Sequence, residues 1–88
     1  MAQKRALFSS GAIVELDVHG VNLYQAKIAV DAALRRSGGA YRIRVIHGYT
    51  HGAQIKEMLY ADYADHPLVL RLSAGQNPGQ TDMVLREL

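Results

Sequence analysis

At 88 residues the chain has room for one domain, whose folding buries roughly 60 to 65% of the surface its unfolded form exposes. Hydrophobic residues make up 49% of it, yet no apolar run approaches the ~20 residues that span a bilayer, and no apolar signal core follows the basic start Met-Ala-Gln-Lys-Arg, so a non-membrane, cytoplasmic protein is expected. Cysteine is absent, which removes disulfides and thiolate metal sites, and a net charge of +2 is too small for the total to announce nucleic acid.

In chain order, residues 1–12 read as a flexible N-terminal arm and 13–88 as the domain. "IVELDV", Ile13 to Val18, alternates with Val14, Leu16 and Val18 on one side, the period of a half-buried strand that His19-Gly20 ends. Asn22 followed by Gln25 resembles a capping box, and Leu23, Ala26, Val30, Ala33 and Leu34 then recur at helical spacing, predicting a helix over 23–36 stopped by Ser37-Gly38-Gly39. "YRIRVI" alternates again, predicting a second strand over 41–46. Ile55, Met58, Leu59 and Tyr63 predict a second helix ending near Ala64, ahead of Pro67, because a residue before proline avoids the α region. "LVLRL" at 68–72 and "MVLREL" from Met83 have strand character, and "SAGQNPGQTD" between them is a mobile, turn-rich connection.

The order βαβαββ in one small domain predicts a two-layer α/β sandwich, a four-stranded mixed sheet with two helices on one face. The covered face would carry Val14, Leu16, Val18, Tyr41, Ile43, Val45, Leu68, Leu70 and Leu72. The open face would carry Glu15, Arg42, Arg44, Arg71 and Arg86, either as an ordinary solvated surface or as one that tracks phosphates.

One internal echo stands out. "LDVHG" at 16–20 and "RVIHG" at 44–48 both end a strand with His-Gly before a helix. Strands joined by a crossover helix run parallel, so both histidines are expected at one sheet edge, where helix N-termini favour anions. Gly20, Gly48 and Gly52 would let backbone approach such a guest, and Lys56 and His51 would add positive charge. Tyr49, in the glycine loop, offers a ring on which an unpaired base can stack. The competing readings are local: Asp17 capping a turn, His19 bonded to backbone, His51 and Lys56 solvated. His47 and His51, four apart, lack a third ligand at zinc-site spacing, so no metal site is expected from them.

"LDVHG" followed by "IHGYTHGAQIK" resembles the two signatures of the Smr (small MutS-related) domain family, a Leu-Asp-x-His-Gly motif and a later His-Gly-x-Gly-x-Gly motif with a basic residue beyond. The pair, about 28 residues apart, extends the resemblance from about Val14 to Leu88, with Thr50 where the middle glycine of the second motif is expected. The resemblance implies a sandwich like the C-terminal domain of translation initiation factor three, binding of DNA or RNA, and in several members endonuclease activity. By position it ties Asp17, His19, His47, Gly48 and Gly52 to activity or substrate binding.

Phosphodiester hydrolysis needs a base to activate water, positive charge on the developing oxyanion and an acid for the leaving oxygen; histidines titrate in the range for proton transfer. Asp17, His19 and His47 are the catalytic candidates, with Asp17 orienting a histidine or holding Mg²⁺. Gly20, Gly48, Tyr49, His51, Gly52, Lys56, Arg42 and Arg44 are the binding candidates, for DNA or RNA with little sequence preference. The alternatives are a non-catalytic adaptor for structured RNA or the ribosome, and a binder of small phosphates.

Overall fold

The computed structural model describes residues 7–9, 13–49 and 52–87. Among these the elements are β1 (Leu7–Ser9), β2 (Ile13–Asp17), α1 (Leu23–Arg35), β3 (Arg42–Ile46), α2 (Gly52–Tyr63), β4 (Arg71–Ala74) and β5 (Gln80–Val84). They make one mixed sheet in the order β1-β2-β3-β5-β4, with β2 and β3 parallel and the other neighbours antiparallel. The expected two-layer sandwich, with its four strands and two helices, is therefore present. β1 extends it: β2 has an open edge of unpaired backbone groups, and Leu7–Ser9 pairs with it. The other residues of the expected arm, 1–6 and 10–12, lie outside those described.

Alternation sets the layers. In β2 and β3, Val14, Leu16, Ile43 and Val45 are buried while the residues between them are half-exposed. Onto this face pack Ala26, Val30, Ala33 and Leu34 of α1 and Ile55, Met58, Leu59 and Tyr63 of α2, the helical positions expected except for Leu23, which is largely exposed. Burial of each Val, Ile or Leu contributes roughly 1.5–3 kcal/mol. The start of α1 is fixed by Asn22, whose side chain accepts from the Gln25 N–H at 2.8 Å. The helices are joined at their surface by Lys27, which bonds Asp62 at 3.3 Å and lies 4.6 Å from the centre of the Tyr63 ring.

Three expectations require correction. Leu68 and Leu70 are exposed and precede β4, because the turn at His66 (Val69 N–H to His66 O, 3.0 Å; Leu68 N–H to the His66 ring, 3.1 Å) sends Val69 inward instead. Leu72 does pack against the core, half-buried. Tyr41 sits just before β3 and is half-buried on the open side, out of the pleat its spacing suggested. The connection between the last two strands is short: β5 begins at Gln80, so Thr81 and Asp82 are buried sheet residues. Turn-forming letters hid that strand start, and pairing with β3 and β4 overrode them.

Candidate nucleic-acid interface

β2 and β3 end side by side, and the Val18 N–H continues their pairing onto Ile46 O at 2.9 Å. Both His-Gly corners follow at once. Gly20 and Gly48 adopt left-handed φ of 81° and 84°, a conformation open to glycine with little strain. The corners touch: a Cβ placed on Gly48 would lie 3.2 Å from the His19 Cβ. One sheet edge thus carries both motifs.

Their two histidines do opposite things. His19 is exposed, and its backbone N–H (3.1 Å) and ring Nδ1 (2.5 Å) both meet Asp17 Oδ1. A carboxylate only accepts, so Nδ1 carries the proton and Nε2 is left for a substrate or water. The corner bends the chain enough for Asp17 and His19, two apart, to meet.

His47 is 2% exposed. Its Nδ1 donates to Gly48 O at 3.1 Å, and its Nε2 accepts from the Thr81 hydroxyl at 2.9 Å, which describes a neutral ring with both nitrogens satisfied. Burial holds this imidazole below its ordinary value of 6.5; the hydrogen bond to Gly48 opposes that, and the nearby Lys56 charge adds to it. The first turn of α2 rests on the same ring: a Cβ on Gly52 would be 2.7 Å from His47 Nδ1. Glycine there lets the N-terminus of α2, whose first N–H groups have no partner within the helix, come up to the rim.

The β4–β5 turn closes the site from below. Gly79 O accepts from the N–H groups of His47 (2.9 Å) and Gly48 (3.0 Å), and Asn77 Oδ1 accepts from the Gly79 N–H at 2.9 Å. The exposed Tyr49 ring lies over Gly79, 3.3 Å from where a Cβ would stand. Lys56 is exposed on α2. Between the first turns of α1 and α2 runs a groove of about 260 Å³ lined by Gly20, Val21, Asn22, Leu23, Gln54 and Ile55.

Of the site residues expected from sequence, Asp17, His19, Gly20, Gly48, Tyr49, Gly52 and Lys56 gather at this rim, with His47 beneath it. His51 and Thr50 lie outside the described residues. Arg42 and Arg44 are elsewhere, on the open face, bonded to the buried Asp82 (Arg42 at 2.8 Å, Arg44 at 3.0 and 3.1 Å). Thr81 and Gly79 were not among the expected site residues: "QTDMV" has no apolar–polar alternation and follows a run of turn formers, so nothing local marked it as a strand at the site. Among the described residues no three His, Asp or Glu gather closely enough to hold a metal ion, and Asp17 already spends one oxygen on His19.

Architecture and rim define a two-layer α/β domain whose paired parallel strands deliver two His-Gly corners to one edge. The chain has an Smr-like fold: it is similar to the crystal structure of the Smr domain of Thermus thermophilus MutS2, at 29% identity and a TM-score of 0.64, over 83% of this chain and 98% of that one. No family model and no curated protein sequence matches the chain. No helix among the described residues is long and apolar enough to cross a membrane.

Proposed function

We propose that the domain binds DNA or RNA at the rim formed by the two His-Gly corners, through backbone phosphates and with little sequence preference. The observation that carries this reading is the contact between Gly48 and His19 at the edge where α2 begins. A phosphate seated there meets the positive end of α2, the Lys56 ammonium and the free edge of His19, while Tyr49 offers a stacking surface for a base. Labelled single-stranded and duplex oligonucleotides titrated over a salt series test it. Affinity should fall steeply with salt and drop in Lys56→Gln; binding that ignores salt, or no binding, counts against the reading.

Hydrolysis at this rim would use His19 as base: Nε2 takes a proton from water, water oxygen attacks phosphorus, and the leaving oxygen is protonated by solvent. Asp17 holds the ring and balances the imidazolium charge. His47, buried and satisfied, acts as a positioning residue for the Gly48 corner. Supercoiled plasmid and structured RNA, incubated with and without Mg²⁺, test the step; cutting lost in both His19→Ala and Asp17→Ala supports it, and equal traces in every preparation mean contamination. The second reading is a non-catalytic adaptor for structured RNA, ribosomal RNA included. Burial of His47 favours it, because among the described residues it leaves one exposed imidazole at the rim where acid and base would both be wanted.

A further inference from the structure

We propose that the open face of the sheet holds a second phosphate site, centred on Arg42 and Arg86; this rests on the nucleic-acid reading and extends it to a separate surface. At the N-terminal end of β3 the chain leaves a concavity of about 340 Å³ whose lining includes Tyr41, Arg42, Arg44, Arg71, Arg86 and Glu87. The four guanidiniums are not equivalent. Arg44 gives Nε and a terminal nitrogen to Asp82 and is 11% exposed, so it is spent on holding a buried carboxylate. Arg71 is neutralised by Glu87 at 2.6 Å. Arg42 shares Asp82 with Arg44, bonding it through one nitrogen, and its side chain remains 33% exposed. Arg86 donates to the backbone carbonyls of Ala40 (3.2 Å) and Gly38 (2.9 Å) and, among the described residues, pairs with no carboxylate.

Charge is therefore in surplus here even with Glu15 beside Arg44 in the neighbouring strand. Arg86 is a fork held rigidly by two carbonyls, with donors left over and little entropy to lose on meeting an anion. A planar fork matches phosphate oxygens two at a time, which a hydrated lysine does not. The site lies one strand length from the rim, roughly 16 Å over the five steps from Arg42 to His47 at ~3.3 Å each. A chain of phosphates is the ligand that can occupy both, and an oligonucleotide of several residues reaches from one to the other.

The test is the binding of a labelled 20-residue oligonucleotide to Arg42→Gln/Arg86→Gln over a salt series, beside wild type, Lys56→Gln, and Arg35→Gln/Arg36→Gln as a charge-matched control at the C-terminal end of α1. Glutamine keeps a donor for Asp82 and the two carbonyls, so folding should survive, and thermal unfolding checks it. Loss of two phosphate contacts should weaken binding about tenfold and flatten the plot of log K against log salt by about 1.4 to 1.8. Unchanged affinity and slope, or equal losses in the α1 control, overturn the site while leaving the rim reading intact. Loss in the arginine variant with none in Lys56→Gln keeps the site and discards the rim; no binding by wild type discards both. In unaltered protein, the Nε–H resonances of Arg42 and Arg86 should shift with oligonucleotide. Resonances that stay put, or that respond equally to a glutamate peptide of the same charge, overturn the assignment.

Discussion

Strands β2 and β3 end in the same dipeptide, and the two ends have opposite physical characters. At the first, His19 lies in solvent and, among the described residues, its hydrogen bonds go to Asp17 two residues away. At the second, His47 is buried, with one nitrogen on Gly48, the other on Thr81, and α2 resting on the ring. One corner leaves a ring nitrogen facing solvent; the other holds the loop in place. A shared motif marks a shared backbone geometry and says nothing of which side chain faces water.

The substitutions that separate the corners differ most in stability. His47→Ala leaves a cavity and an unpartnered Thr81 hydroxyl, and should lower unfolding free energy in urea by about 2–4 kcal/mol. His19→Ala should stay within about 0.5 kcal/mol of wild type while weakening nucleic-acid binding. Similar losses in the two would erase the distinction.

Gly52→Ala comes next. Its Cβ must displace the His47 ring, so about 1–3 kcal/mol is expected, together with a shift in the His47 ring resonances. An unperturbed ring would mean that α2 does not rest on it.

pH sharpens the comparison further. Burial puts the folded-state pKa of His47 below its unfolded value of about 6.5, so in the window beneath that pH the unfolded chain binds the proton first. The contribution of His47 is complete above about pH 6.5 and is lost as pH falls toward the folded-state value. Denaturation midpoints should decline over that range in wild type and decline less in His47→Gln. Parallel declines would assign the effect to other groups.

The smallest contrast is between the two glycines. Gly20→Ala meets open space and carries only the strain of positive φ, about 1 kcal/mol, whereas Gly48→Ala adds a crowded contact with His19 and should cost more. Equal losses would mean that the corners do not press on each other.

Much of the fold was legible because burial writes a local pattern. Alternation in "IVELDV" and "YRIRVI" and helical spacing from Ala26 to Leu34 and from Ile55 to Tyr63 follow from a single buried face. What misled were segments whose partners lie far off in the chain. "LVLRL" has strand character, yet the turn at His66 and pairing to β5 put Val69 inside and Leu70 outside. "QTD" reads as turn, yet Asp82 is drawn into the sheet by Arg42 and Arg44, some forty positions earlier. The rim showed the same division. Asp17, His19, Gly20 and Gly48 could be placed from spacing, while Thr81, which holds His47, could not.

By itself the sequence determined the order of elements from β2 onward, the parallel pair with its two His-Gly corners, and the meeting of both motifs at one edge, since these depend on short-range periodicity and on crossover geometry. Tertiary structure alone decided which histidine reaches solvent, because Thr81 from β5 and Gly52 of α2 close over His47 while, among the described residues, nothing comparable closes over His19. It likewise decided which arginines keep charge to spare, since that depends on where a single buried carboxylate and two backbone carbonyls come to rest.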